Sequence, residues 1–287
     1  MSTLRAIDLQ SKRRSTIQIR PLIRTLFGLL ITGFFLFPFY LILESSLMEQ
    51  TDVLRYPPPF VPPQVTLEGY ASALTTTGQF ISTSLIYGFG TILVTMIIAT
   101  PAAYALARIR SRIGLFLLIA LILAQMAPGF VVANSLYAMF SRLKLINTYI
   151  AVILADSTAA VPFAIIIMRA FMLSIPSELS EAALVDGAGH WTIFWSIVIP
   201  ISRTAIITAA LFSFLAGWGD FLFALTLTNG AELTPITVGI YRYIGTYSVN
   251  WPAIMATATI ATIPAIILLT FAQRYVAAGL TAGAIKE

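Results

Sequence analysis

Two aspartates interrupt stretches that otherwise carry no charge: Asp156 within 145–168 and Asp220 within 204–228. A carboxyl group in an oily surround is costly and is a functional candidate by default. Two carboxyls that share a proton can drive hydrolysis. One alone can carry a proton, and either can hydrogen-bond a polar solute. Gln125 and Asn134 add amides in the same apolar chain. The competing role for all four is helix–helix hydrogen bonding, and Asp220 can also sit solvated at the outer end of its stretch. Other chemistry is sparse. Cysteine is absent, which removes thiol nucleophiles, disulfides and Cys-based metal sites. His190 is the only histidine and has no second ligand at metal-binding spacing, so it is a surface packing residue and no metal is expected. No Gly-x-x-x-x-Gly-Lys-Ser/Thr loop occurs, so this chain is expected to bind no ATP or other cofactor itself.

The other group with chemical potential lies in "EAALVDGAGHWTIFWSIVIP", Glu181 to Pro200. The preceding "SIPSELSEAALVDGAG" reads as a short surface helix. Ser177 can cap it, and Glu178 and Glu181 suit its positive N-terminal end. Leu179, Ala182 and Ala183 share one face at helical spacing. Gly187 and Gly189 end the helix and turn the chain. The alternative is an ordinary loop helix lying on a membrane.

The elements that must position these residues are membrane spans. The 287 residues are 58% hydrophobic and 10% charged, against about 25% charged in an average soluble domain. A spanning helix needs roughly 20 apolar residues. The pattern predicts six spans, near 22–44, 81–106, 113–133, 148–171, 204–226 and 253–275. Residues 69–107 are long enough for two, but "GYASALTTTGQF" is too polar and small to insert well, so one span is expected. Pro101, Pro162 and Pro264 fall inside spans, where kinked helices are tolerated.

Lys and Arg set the orientation. The N-terminal tail holds Arg5, Lys12, Arg13, Arg14, Arg20 and Arg24, and the loop after the second span holds Arg108, Arg110 and Arg112. The loop after the first span holds Glu44, Glu49, Asp52 and Glu68 against Arg55 alone. The N-terminus is therefore expected in the cytoplasm, and six spans return the C-terminus there. Arg142 and Lys144 fall outside and are discordant. The net charge of +5 follows from this orientation, and no nucleic-acid partner is needed. The first apolar run is too long for a signal peptide and lacks a small-x-small cleavage site, so it is expected to remain as an anchor. "PPPFVPP" at 57–63 reads as a stiff external spacer.

Glu181-Ala182-Ala183, three residues, Gly187, nine residues, then Ile197-x-Ile199-Pro200 is similar to the EAA motif of ABC importer permeases, with Ile199 in place of leucine. "TPAAYALARIRSR" (100–112), "LINTYIAVIL" (145–154), "WGDFLFALTLT" (218–228) and "AQRYVAAGLTAGAIKE" (272–287) resemble further segments of the carbohydrate-uptake, maltose-permease-like members. Gly219 stands where asparagine is usual.

The resemblance implies an all-α integral membrane protein of the type I ABC importer (MetI-like) fold. The implied division is a cytoplasmic tail 1–21, a transmembrane domain 22–278 with a coupling loop 174–203, and a C-terminal tail 279–287. It implies a carbohydrate or sugar-derivative importer in a prokaryotic inner membrane. The implied partners are a second, homologous permease in a heterodimer, two copies of a cytoplasmic ATPase holding ATP and Mg²⁺, and an extracytoplasmic solute-binding protein. Carried over to these positions, Glu181 is the ion-pair candidate toward the ATPase, Ala182 and Ala183 the contact face, and Asp186 and Gly187 the turn. Gly279, Thr281, Gly283 and Lys286 are tail contacts to the ATPases. For a sugar, Gln125, Asn134, Asp156 and Asp220 could bond hydroxyls, while Tyr137, Trp218 and Phe221 could stack on ring faces. Two rival classes remain at this point. Gly217-Trp218-Gly219-Asp220 matches the Gly-x-Gly-Asp pattern of intramembrane aspartyl proteases, though Asp156 lacks the tyrosine expected before it. An ion-driven carrier could use Asp156, but there is neither an internal repeat nor a chain of acids.

Overall fold

The computed structural model describes residues 19–109, 111–242 and 249–282. Among the described residues all regular structure is helical. Helix α1 (Ile19–Ser46) is a long rod whose residues 23–40 are all exposed, and only its last turns are partly or fully buried. A short α2 (Gln50–Val53) and the proline segment follow. The Tyr40 hydroxyl donates to the Phe60 carbonyl and so ties 57–63 back to α1.

Helix α3 (Glu68–Arg108) runs 41 residues without a break. At 1.5 Å per residue that is roughly 60 Å, about twice the hydrocarbon thickness. This resolves the long 69–107 run as one span. The polar "GYASALTTTGQF" is helical, with threonine hydroxyls bonding back to carbonyls four residues earlier, as from Thr75 to Ala71 (3.1 Å).

The expected continuous span over 113–133 is corrected. Helix α4 (Arg112–Ala124), capped by Ser111, stops before Gln125, and α5 (Gly129–Arg142) leaves at 97° to it. Pro128 has no amide hydrogen to continue the ladder and takes the N-cap position of α5. Helix α6 (Tyr149–Met172) matches its expected span and is capped by Thr148. A loop helix α7 (Ser177–Val185) leads to α8 (His190–Ile193), a π-helical turn (Phe194–Val198) and α9 (Ile199–Ile201). This run bends 77° into α10 (Arg203–Trp218). The expected span over 204–226 is corrected as well: the helix ends at Trp218, and residues 219–221 separate it from α11 (Leu222–Leu227). A 3-10 turn (Ala231–Leu233) and α12 (Ile236–Arg242) precede α13 (Trp251–Ala282). Among the described residues, four helices are long and apolar enough to cross a membrane, or up to six spans if each bent pair counts as one.

Helix α3 packs against α6, α10 and α13, and small residues set these distances. A Cβ at Gly90 would strike the Ile153 side chain, and one at Gly88 would meet the Phe214 ring at 2.7 Å. A Cβ at Gly217 would meet the Tyr87 carbonyl oxygen and Thr91 Oγ1, both at 2.7 Å. Close approach at small residues is how membrane helices gain contact when no water is expelled. Beside α7, Ala99, Ala103, Ala164, Ala205 and Ala209 continue the pattern in one buried cluster.

The Gly217 contact gives the first prediction. Gly217→Ala forces α10 off the α3 backbone and should cost about 1–3 kcal/mol of stability. Gly78→Ala, where the added carbon meets nothing within 4 Å, should be neutral. Thermal midpoints of both variants in mild detergent measure the contrast, and equal midpoints would refute the packing role.

Candidate functional site

The loop between α6 and α10 carries the EAA residues. Pro176, not Ser177, holds the N-cap position of α7, and Ser177 is the first helical residue. Pro176 fits because the residue before the first helical turn is extended here, at φ −56° and ψ 136°. The C-terminus is a full Schellman closure: the Gly187 amide donates to Leu184 O (3.0 Å) and the Ala188 amide to Ala183 O (2.9 Å). Gly187 has φ +85°, a left-handed conformation that glycine adopts without Cβ strain. Gly189 does not end α7; it is the N-cap of α8.

The expected shared face of Leu179, Ala182 and Ala183 is divided. Leu179 and Ala182 are exposed, whereas Ala183 is half-buried and packs into the alanine-rich core cluster with Ala188. Ala183 therefore holds α7 to the body, and Ala182 lies on the outer surface. Glu178, Glu181 and Asp186 are exposed. A cleft of about 580 Å³ opens between α7 and the C-terminal ends of α3 and α6. Glu178, Glu181, Ser174, Ser177 and Arg108 are among the residues that line it. Glu178 is a second carboxylate at this surface, to which the sequence assigned only a helix-end role. Gly279 and Thr281 belong to the α13 helix, while Gly283 and Lys286 lie outside the described residues.

The interior residues separate into two groups. Gln125, Asn134 and Tyr137 are exposed on the bent α4–α5 pair, where a solute or a neighbouring subunit could reach them. Trp218 is only 5% exposed, stacks on Phe214 (5.7 Å between ring centroids) and donates its indole N–H to Ala261 O at 3.1 Å. Neither its ring face nor its donor is free for a sugar. Phe221 is partly exposed and packs edge-on against Tyr241.

Asp220 is not solvated. It is 8% exposed, and its two oxygens accept from the Phe223 amide (3.1 Å) and the Ala224 amide (2.7 Å). It thus satisfies amides in the first turn of α11, which residues 219–221 would otherwise leave orphaned. Asp156 is 3% exposed, and its Oδ2 has no hydrogen-bond partner among the described residues. The hydrolytic dyad fails on Asp220, whose oxygens are committed to backbone.

Sequence reasoning passed over a second set of residues. Asn147 sits in a left-handed conformation (φ +62°) and accepts from the amides of Asn229 (3.0 Å) and Gly230 (3.3 Å). Thr83 and Tyr149 donate to Glu232 O, Tyr87 donates to Leu233 O (2.8 Å), and Ser84 accepts from the Ile236 amide. These bonds pin the irregular 229–236 segment against α3 and α6. The "LINT" stretch was a legible signal, since asparagine tolerates left-handed backbone.

Comparison with known proteins agrees with this architecture. A family described as "Binding-protein-dependent transport system inner membrane component" matches residues 96–282. The "Probable ABC transporter permease protein y4oR" of Sinorhizobium fredii is 33% identical over 270 residues, covering 93% of this chain and 96% of that protein. The "Trehalose/maltose transport system permease protein MalG" of Thermococcus litoralis is 31% identical over 256 residues, covering 88% and 91%. Among solved structures, a chain of a bacterial ABC transporter involved in the import of the acidic polysaccharide alginate shares the fold. Its TM-score is 0.76 at 21% identity, over 94% of this chain and 99% of that one. With the EAA loop, the bent spans and the matched family all present, this chain belongs to the inner-membrane permease components of binding-protein-dependent ABC transport systems.

Proposed function

We propose that this permease is one half of a heterodimeric importer for a carbohydrate or sugar derivative, driven by two copies of a cytoplasmic ATPase and supplied by an extracytoplasmic solute-binding protein. The single observation that carries the reading is the build of the α7 surface. A short helix closed by a rigid glycine turn presents Glu181 at an open cleft, and Ala183 fastens it to the core beneath. Such a loop can receive a partner and pass on its displacement. Glu181 is the ion-pair partner for a basic residue of the ATPase, Ala182 the outward contact, and Asp186 and Gly187 the turn. ATP and Mg²⁺ belong to the partner, and hydrolysis is the partner's chemistry. Gly279, Thr281, Gly283 and Lys286 are proposed as tail contacts to the ATPase pair.

Sugar as the solute is supported by the relative named for trehalose and maltose. The exposed α4–α5 face, with Gln125, Asn134 and Tyr137, is the proposed pathway wall. Asp156, Trp218 and Asp220 act as packing and capping groups. Basic N-terminal residues favour cytoplasmic termini, with α7 on the same side. ATP closes the ATPase dimer, the coupling loops follow, and the bundle rocks between inward- and outward-facing forms.

Tagging the chain and extracting its native complex in mild detergent tests the reading. A nucleotide-binding ATPase and a second permease should co-purify, and purification alone in two detergents would refute the importer. Glu181→Lys should still insert but bind the ATPase more weakly, by about 2–5 kcal/mol. Wild-type co-purification by that variant would remove Glu181 from the interface. Asp156→Leu separates the classes. A buried oxygen without a partner costs about 1–3 kcal/mol, so the thermal midpoint should hold or rise and ATP hydrolysis by the complex should continue. A carrier or hydrolase that used this carboxyl would instead lose its activity.

A further inference from the structure

The last turns of α3 touch both limbs of the coupling loop. Arg108 Nη2 donates to Ser180 Oγ in the middle of α7 at 3.0 Å. The same guanidinium lies 5.7 Å from the centroid of the Tyr104 ring, one helical turn back. Tyr104 in turn packs against Phe194 of the π-helical turn, with centroids 5.4 Å apart. Phe194 carries Trp191 (5.8 Å) and Trp195 (5.2 Å), so the α8 limb is gripped through an aromatic cluster. Between these two contacts, Arg169 Nε of α6 donates to Leu106 O of α3 at 3.1 Å and locks the two helix ends together.

We infer that Arg108 is a positioning residue that couples α7 to α3, so that displacement of the loop moves the central helix of the bundle. The inference rests on the coupling-loop reading above. Orientation in the membrane needs only a positive charge near Arg108. It does not need a planar group that bonds α7 on one side and lies over Tyr104 on the other. The placement also has mechanical sense. Helix α7 has no fully buried residue, so its hold on the body depends on Ala183 and on the Ser180 bond. From this point the 41-residue helix α3 runs back past Gly90 and Gly88 to Tyr87 and Thr83, about midway along it, whose hydroxyls pin the 229–236 segment. A push on Ser180 therefore has a rigid route to the far side of the bundle.

The chain has no native cysteine, which makes the test direct. Ala138→Cys or Met126→Cys, both at exposed positions of the α4–α5 pair, reports accessibility to fluorescein maleimide in the purified complex. Labelling is compared without nucleotide and with ATP plus vanadate. The ATP-dependent change should shrink by about tenfold in Arg108→Ala, the order expected for a charged hydrogen bond, while the ATPase still co-purifies. Ser180→Ala should lower it too, and the double variant should be no worse than Arg108→Ala alone. Arg108→Lys keeps the charge and should restore only part of the response.

An undiminished response in Arg108→Ala, additive losses in the double variant, or full rescue by lysine would each overturn the coupling role. If Arg108→Ala fails to insert, Ser180→Ala and Tyr104→Leu carry the same test. A wild-type complex whose labelling ignores ATP at both positions would instead refute alternating access, and this proposal with it.

Discussion

Every peptide group at membrane depth must find its hydrogen-bond partner within the chain. Most of this molecule meets that demand with long helices, and the rest of its architecture follows from where it does not. Residues 219–221 interrupt the fifth span, and 229–236 run irregularly beside α3. Each interruption is served by a polar side chain that composition alone would label an intramembrane oddity. Asp220 takes amides of α11, and Thr237 donates to the Asp220 carbonyl. Asn147, Thr83, Tyr87, Tyr149 and Ser84 serve the irregular segment. The polar residues at these two interruptions are therefore placed by backbone need, whereas Asp156 Oδ2 has no hydrogen-bond partner among the described residues.

That distribution explains which parts of the molecule were legible from sequence. The four long spans and the helix and glycine turn of the Glu181–Gly187 stretch were readable because apolar length and short-range spacing are local properties. The bends were not. Gln125–Pro128 and Gly219–Phe221 contain residues that break helices, yet a hydropathy pattern runs straight across both. Asp220 and Trp218 were legible as unusual but not as structural, because their partners are backbone atoms of Phe223, Ala224 and Ala261. Backbone partners leave no mark in residue identity. Ser177 illustrates the same limit at the surface. It has good capping chemistry, but Pro176 already has the extended backbone that the cap position requires. Periodicity puts Ala183 on one face with Leu179 and Ala182, and the family resemblance makes it a contact toward the ATPase, whereas the short α7 sits so that this residue meets the core.

Packing and dynamics are joined at α3. Glycine and alanine bring α3, α6 and α10 so close that a single methyl group at Gly217 would strike a backbone carbonyl. Helices in contact at this range move together, because sliding one past another would first require them to separate. The bent pairs lack that intimacy. Most of the α4–α5 surface is exposed, and no residue of α7 is fully buried. Rigid post and looser outer elements are thus built from different residues, small ones inside and large apolar ones outside.

The exposed surfaces then carry the last step. Residues 23–40 of α1 are all exposed on this chain, and Phe130, Asn134 and Tyr137 stand outward from α5. Lipid tails would accept the apolar side chains alone, but they would leave the amides of Gln125 and Asn134 without partners. In the proposed heterodimer, a second permease facing α4–α5 gives those amides either protein or water to bond, and it turns one exposed wall into half of a lined passage. In that arrangement Asp220 and the side chains that pin 229–236 hold the frame, while the exposed polar groups of α4–α5 face the solute. The proposed heterodimer accounts for both classes without asking any residue to serve two roles.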